Sequence, residues 1–317
     1  MLPTLVHLSR TMRIFLFSVY EIKKITMSNQ NIPAPAIDGF SKWKLESWNE
    51  YINLFITGPL ENTKEFIFRG QQKECWELTS SLNRLVGKAN KNRLNACGIG
   101  SLRYVNSNNE DIPCLEENNS PSDLSGINHN VINELIEGHY ENFKRSIRGR
   151  VSTFELQSLL NDEDELLALG QHYGLATPFL DWTTSPFIAA FFAFEDACND
   201  CNNKVIYALD KNAMARIGSD EDDRVKIIRP QLGENKRLIS QNGLFVSIPR
   251  GTNLEEWVKR RFAGSVEHIL IKISIPSGNR HEILRYLNKY NINHLSLYPD
   301  VIGSSKYCNL HFEIDNY

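Results

Sequence analysis

One segment of the chain carries no polar side chain at any position, and it constrains the fold more than any other. Residues 187–194, Phe-Ile-Ala-Ala-Phe-Phe-Ala-Phe, follow the pair Ser185-Pro186. Serine is a favoured N-cap, and proline is well tolerated at the first helical position, so this pair predicts the start of a helix. A helix that is apolar on every side has to be buried. The rest of the chain must therefore pack around it.

Helical patterns dominate before this segment, and strand patterns dominate after it. Apolar spacing predicts helices at residues 41–56 (with Ser41 as N-cap), 131–148, 154–170 and 280–290. Short apolar runs predict strands at residues 65–71, 205–209, 225–228, 243–248, 269–275 and 294–298. Several of these strands follow one another directly. This order predicts an α+β fold rather than a doubly wound parallel sheet.

Two segments that lack a regular apolar pattern indicate how the chain is organised. Residues 1–40 are expected to be a tail and linker, in which Met27 is an alternative start. Residues 87–128 are rich in asparagine and lack sustained periodicity, which predicts a polar insertion. Residues 41–317 are otherwise expected to form one domain.

Composition excludes several classes of protein. The formal net charge is −3, so no overall basic excess favours non-specific binding to nucleic acid. The apolar run at residues 14–20 is far shorter than the ~20 residues that cross a bilayer, so no membrane span is expected. Six cysteines in 317 residues do not form a disulfide framework, which favours the cytoplasm. Cys198 and Cys201 have the spacing of half a zinc site but lack a second pair, so no metal is expected.

Common catalytic fingerprints are absent from the sequence. It contains no Gly-x-Gly-x-x-Gly dinucleotide fingerprint, no phosphate-binding loop, no Gly-x-Ser-x-Gly elbow and no His-Glu-x-x-His helix. Five other stretches combine glycine, aromatic and polar residues: Phe66-Ile67-Phe68-Arg69-Gly70-Gln71, Gln171-His172-Tyr173-Gly174-Leu175-Ala176-Thr177, Leu180-Asp181-Trp182-Thr183-Thr184-Ser185-Pro186, Arg237-Leu238-Ile239-Ser240-Gln241-Asn242-Gly243-Leu244-Phe245 and Leu295-Ser296-Leu297-Tyr298-Pro299-Asp300.

These stretches, in this order, resemble the FRG domain family, which is named for its Phe-Arg-Gly motif. The resemblance spans about residues 41–305 apart from the insertion. The family occurs in prokaryotic and phage-related proteins beside defence or toxin modules, and it is distantly similar to the ADP-ribosyltransferase fold. That similarity implies a mixed or antiparallel sheet flanked by helices, with NAD as the cofactor. It also implies an acceptor for ADP-ribose, either protein or nucleic acid; the oligomeric state stays open.

The resemblance also implies roles for individual residues. Arg69 and Gly70 match the first element of the ADP-ribosyltransferase pattern, in which the arginine is expected to hold the diphosphate and the glycine to let the backbone approach the ligand. Thr183 and Thr184 match the second element and are expected to contact ribose or phosphate. Gln241 lies where the third element would carry a glutamate.

Three further residues complete the expected site. His172 and Tyr173 are expected to frame the nicotinamide, with Tyr173 stacked on its ring. Asp300 follows a predicted strand and a proline, and it is the best remaining acid by position. Asp300, Gln241 and His172 are thus the candidate catalytic residues.

Each residue also has a structural interpretation that stays open at this point. Arg69 can pair with Asp181, His172 can be a packing residue in a loop between two glycines, and the hydroxyl residues before the helix can act only as caps. Asp300 can likewise be a turn or cap residue. The corresponding alternative function is a non-catalytic module that senses a nucleotide or a partner. A nuclease is the least favoured hypothesis, since the dense acidic run at 220–223 lies outside the motifs.

Overall fold

The computed structural model of the chain is built on a seven-stranded mixed sheet with the strand order β1-β7-β4-β2-β3-β6-β5. The strands are β1 (Phe40–Lys44), β2 (Phe66–Gln71), β3 (Phe179–Thr183), β4 (Asn203–Asp210), β5 (Lys226–Ile228), β6 (Gly243–Ser247) and β7 (Leu270–Pro276). The pair β1 and β7 is parallel, and the other neighbouring strands are antiparallel. The α+β prediction is confirmed.

The structure describes residues 34–96, 129–152, 157, 159–197, 202–217, 223–231 and 236–317. The alternative start at Met27, the Cys198–Cys201 pair and residues 97–128 of the predicted insertion lie outside these ranges. Residues 87–96, which the asparagine-rich pattern assigns to the insertion, continue a helix that begins at Ser81.

The helices in these ranges are α1 (Trp48–Ile56), α2 (Ser81–Ala96), α3 (His129–Ser146), α4 (Glu163–His172), α5 (Pro186–Phe194), α6 (Lys211–Ala215), α7 (Lys236–Ser240), α8 (Leu254–Arg261), α9 (Arg280–Lys289), α10 (His294–Leu297) and α11 (Val301–Glu313). Two 3-10 turns, Thr63–Glu65 and Ser277–Asn279, precede β2 and α9.

The apolar helix α5 lies on one face of the sheet, as its sequence predicts. Ser185 is its N-cap, since the hydroxyl accepts a hydrogen bond from the Ile188 amide at 3.3 Å, and Pro186 is the first helical residue. Ala189, Ala193 and Phe194 are completely buried against the strands and the helices α1, α9 and α11. A second core, around Trp257, covers the opposite face beneath α6 and α8.

Two elements differ from the sequence prediction. Ser41 lies in β1 and not at a helix N-terminus; the helix starts later, with Ser47 as N-cap. Pairing with β7 decides this, because a strand partner distant in sequence outweighs local helical spacing. The predicted strand at residues 294–298 is the short helix α10, which Asn293 starts with a capping box. A four- or five-residue apolar run does not distinguish the two structures by itself.

A third predicted helix is interrupted: residues 157 and 159–161 are helical, and Asp162 separates them from α4. The helix predicted at residues 154–170 includes α4, which begins at Glu163 after the N-cap Asp162 and continues to His172. The side chain of Asp162 accepts from the amides of Asp164 and Glu165, so a local capping interaction sets this boundary. Residues 153–156 lie outside the described ranges.

Candidate functional site

A cavity of about 310 Å³ lies where β2 and β3 separate. The two strands pair at a single position, Phe68 opposite Thr183. Beyond it the Arg69 side chain bridges the gap, and its Nη1 atom donates to the carbonyl oxygen of Asp181 at 2.5 Å. Residues of β2, β3, β6, α4, α5 and α7 line the cavity, together with Tyr298. The separated strands therefore leave a cleft in the sheet.

Five of the residues selected from the sequence line this cavity: Arg69, Gly70, His172, Thr183 and Gln241. Two others, Tyr173 and Asp300, line a neighbouring, more open groove of about 360 Å³. His172 and Arg237 line both spaces. Thr184 lines neither; it is exposed, and its amide donates to the Asn242 carbonyl oxygen at 3.1 Å. The motifs thus converge, although the roles assigned to their side chains stay predictions.

Arg69 is a cation in the wall of the cleft. One fifth of its side chain is exposed, and its Nη1 atom lies 3.7 Å from the Asp181 carboxylate. Burial lowers the pKa of Arg69, and the charge of Asp181 opposes that shift. Because the Asp181 side chain is 70% exposed, this ion pair contributes little stability. The pairing of Arg69 with Asp181 that the structural interpretation expects is therefore present. It leaves the Nε–H group of Arg69 without a partner among the described residues.

Two buried hydrogen-bond donors in this wall have no acceptor among the described residues. One is the Arg69 Nε–H, and the other is the indole N–H of Trp182, whose side chain is almost completely buried. Both residues line the cavity. Buried polar groups in folded proteins are nearly always hydrogen-bonded, so these two donors are exceptions, as are the buried indole N–H groups of Trp43 and Trp48, which do not line the cavity.

Gly70 has a close neighbour that the sequence does not reveal. A Cβ atom at this position would overlap the carbonyl oxygen of Ala189 and lie 2.8 Å from the Ala193 nitrogen. The absence of a side chain therefore lets α5 contact β2 directly. Whether Gly70 also gives a ligand access to the backbone stays a prediction.

Hydrogen bonds connect Thr183 to Gln241 and fix both residues in the fold. The Thr183 hydroxyl donates to the Gln241 carbonyl oxygen at 2.7 Å and accepts from the Ser185 amide at 3.1 Å. The Gln241 side chain donates from Nε2 to the Leu297 carbonyl oxygen at 3.1 Å. These bonds fix the position of β3 against β6 and α10, so both residues also have a structural function.

His172 occupies the last turn of α4, so the loop position that the flanking glycines suggest is wrong. Gly170 lies inside the helix, where a Cβ would come within 2.5 Å of the Leu175 side chain, and Gly174 follows the helix with a φ of +89°. Burial and the charge of Arg237 lower the pKa of His172, while Asp300 opposes the shift. The imidazole is consequently neutral near pH 7.

Gln171 was not selected from the sequence, although it precedes His172 in the same motif. Its Nε2 atom donates to Asp181 Oδ1 at 2.9 Å, and its Oε1 atom accepts from the Thr177 hydroxyl. The side chain therefore links α4 to β3 at the cleft and orients the Asp181 carboxylate beside Arg69. A polar side chain six positions before Thr177, with the end of α4 between them, offers no sequence signal for this contact.

Arg237 and Tyr298 were also missed, although both belong to the motifs. Arg237 Nε donates to Asp300 Oδ2 at 2.7 Å, and the guanidinium lies 5.5 Å from the centre of the Tyr298 ring. The Tyr298 hydroxyl donates to Glu195 at 3.1 Å, and burial and then Glu195 raise the tyrosine pKa. Asp300 is also the N-cap of α11, where it accepts from the Gly303 amide at 2.9 Å. The cap interpretation of Asp300 thus describes a real contact, and its catalytic role stays a prediction.

Comparison with known proteins assigns the region that holds most of this site. Residues 64–201 match the FRG domain family. The match covers 138 of the 317 residues of the chain. The match includes β2, α4, β3 and α5, and it ends before Gln241 and Asp300. No curated protein and no solved structure matches the chain.

The cleft combines positive charge with aromatic walls. Arg69 and Arg237 supply the cations, and Phe68, Phe192 and Phe245 supply apolar surface. Within the described ranges, no cluster of three His, Cys, Asp or Glu side chains is placed to hold a metal ion. The same part of the chain has no helix with the length and apolarity that a bilayer requires. The arrangement suits a small ligand that carries both a phosphate and a flat ring.

Proposed function

We propose that the cleft between β2 and β3 binds NAD and that the FRG domain cleaves its nicotinamide–ribose bond. The observation that carries the proposal is the partly exposed guanidinium of Arg69 in the wall of a cavity of about 310 Å³ that aromatic side chains also line. A diphosphate supplies acceptor oxygens for this guanidinium, and an arginine fork binds such oxygens strongly. The aromatic walls suit the rings of the same ligand.

The residues around the cavity support this chemistry in distinct ways. Cleavage passes through an oxocarbenium-like state, which a nearby carboxylate stabilises. Asp181 is the carboxylate in the cavity wall, while Asp300 lies in the adjoining groove. In the reaction the nicotinamide leaves with the bonding electron pair. The ribose carbon then bonds either to the oxygen of water or to an oxygen or nitrogen atom of an acceptor. The displaced proton passes to solvent, directly or through the neutral His172.

A transfer of ADP-ribose to a macromolecule would suit an effector in prokaryotic defence or a toxin, and we extend the proposal to that role. The resemblance of the motifs supports it.

The test is NAD binding by calorimetry together with nicotinamide release from labelled NAD. The wild-type chain should bind NAD and release nicotinamide. Arg69→Ala should weaken binding by about 10–100-fold, because a hydrogen bond to a charged group contributes about 1.5–3 kcal/mol. Arg285→Ala, which alters an arginine on α9 outside the cavity, is the matched control. A folded wild-type chain that does not bind NAD would disprove the proposal.

A second candidate is a non-catalytic domain that senses the same nucleotide. Gln241 favours it, because its amide cannot act as an acid and is bound to the Leu297 carbonyl. In that case the wild-type chain binds NAD with the same dependence on Arg69 but releases no nicotinamide, with or without candidate acceptors.

A further inference from the structure

We infer that the groove beside the cavity binds single-stranded nucleic acid, with a base stacked on Tyr173 and a phosphate held by Lys236. Its volume of about 360 Å³ lies in the range of small-ligand sites, about 300–1,000 Å³. His172, Tyr173, Lys236, Arg237, Pro299 and Asp300 line it. The proposed binding of NAD in the cavity does not use Tyr173 or Lys236, because these residues line the groove and not the cavity.

Tyr173 presents an aromatic surface that the fold leaves uncovered. The residue is 75% exposed, although it follows directly on α4. The ring contacts His172 in a near-perpendicular arrangement, with centroids 4.9 Å apart, so His172 covers at most one of its faces. Stacking of bases on such rings is one of the contacts by which proteins bind single strands without regard to sequence.

Among the described residues that line the groove, Lys236 is the cation that stays available. Asp300 is occupied by Arg237 and by the Gly303 amide, so the Arg237–Asp300 pair is neutral overall. The imidazole of His172 is neutral near pH 7. Lys236 is exposed at the start of α7 and supplies the remaining positive charge. A ring that can stack and a single cation suit a nucleotide unit, whose base binds the ring and whose phosphate binds the lysine. An acidic peptide would bind the lysine alone.

The position of the groove suggests what the bound strand does. His172 and Arg237 form a wall shared with the NAD cavity, so a base in the groove lies next to the proposed reaction centre. This part of the inference rests on the proposed function. An oxygen or nitrogen of the base bonds to the ribose carbon of NAD, nicotinamide leaves with the electron pair, and the displaced proton goes to solvent.

Fluorescence anisotropy with labelled single-stranded DNA and RNA of about 12 nucleotides, within the known range of site sizes, tests the binding step. The full chain is used without NAD. We expect Tyr173→Ala to weaken binding about tenfold and Tyr173→Phe to retain it. Lys236→Ala should reduce the slope of log affinity against log salt by about 0.7, the value for one phosphate on a single strand.

Tyr290→Ala is the matched control, since Tyr290 is 66% exposed and lies outside the groove. It should bind the oligonucleotides like the wild type. The inference is overturned if the wild-type chain binds no oligonucleotide, if it binds acidic peptides instead, or if Tyr173→Ala and Tyr290→Ala behave alike. Calorimetry with NAD on the same wild-type sample separates this failure from failure of the proposed function.

Discussion

At the scale of single residues, Arg69 and Gly70 of the Phe-Arg-Gly motif face different neighbours. Arg69 bridges the separated strands β2 and β3, with one buried donor left over. Gly70, the next residue, lies against the backbone of α5 at Ala189 and Ala193. One tripeptide therefore combines a candidate ligand contact with a packing requirement, since successive residues of a strand point to opposite faces.

The packing requirement at Gly70 predicts a loss of stability. Gly70→Ala should lower the free energy of unfolding by about 1–3 kcal/mol, because the added methyl group overlaps the Ala189 carbonyl and overpacks a rigid contact. Urea denaturation measures the change. Gly138→Ala is the matched control: Gly138 is exposed within α3, and no atom lies within 4 Å of an added Cβ.

The control should be neutral or more stable by about 0.5–1 kcal/mol, because alanine favours a helix interior over glycine. Equal stability of Gly70→Ala and the wild type would contradict the direct contact between α5 and β2.

At the scale of elements, polar groups cap both ends of the apolar helix α5. The residue just before the helix caps its N-terminus, and a residue distant in sequence caps its C-terminus. Ser185 caps the N-terminus. At the C-terminus, Arg280 of α9 donates from Nε to the Phe194 carbonyl at 2.9 Å and from Nη2 to the Glu195 carbonyl at 2.7 Å. Arg280 also pairs with Glu313 of α11. A buried helix needs such partners because its terminal carbonyls cannot reach water.

This cap predicts that Arg280 is important for stability. Arg280→Met should lower the free energy of unfolding by about 3 kcal/mol, because it leaves buried carbonyls without donors. The control is Arg285→Met on the same helix, where a single exposed bond to the Asp315 carbonyl at 3.1 Å is lost. Its effect should stay within about 0.5 kcal/mol. Equal losses for the two variants in urea denaturation would refute the capping role.

At the scale of the whole molecule, Asp300 connects two parts of the structure that are distant in sequence. It starts α11 and pairs with Arg237, 63 residues earlier. The Gly303 amide and then the Arg237 guanidinium hold the pKa of Asp300 below its usual value. The folded state therefore binds a proton at Asp300 less readily than the unfolded state does.

The sign of the resulting pH dependence follows from this difference. The stabilisation is present above the unfolded pKa of about 3.9 and is lost as the pH falls through the lower folded pKa. Asp300→Asn keeps a good N-cap residue but cannot ionise, so its unfolding midpoint in urea should fall less steeply than that of the wild type below about pH 4. Parallel pH profiles for the two proteins would contradict the coupling of Asp300 to folding.

Much of the fold was predictable where the signal is local. The apolar run after Ser185-Pro186 specifies a buried helix with its N-cap, and the runs at β2, β4, β6 and β7 specify strands whatever their partners are. These features depend on residues within one or two helical turns of each other. Local sequence also marked Arg69, Gly70, His172, Thr183 and Gln241, which share one cavity in the structure.

Other features depend on contacts between distant residues, which no local pattern encodes. Pairing with β7 made residues 40–44 a strand, and the Asn293 capping box made residues 294–297 a helix. The bond from Arg69 to Asp181 spans 112 positions, and only folding placed Tyr173 and Asp300 in the groove instead of the cavity. Sequence by itself determined which segments must be buried, because burial follows from side-chain chemistry. Tertiary structure decided which polar groups meet, because their partners come from the register and packing of separate elements.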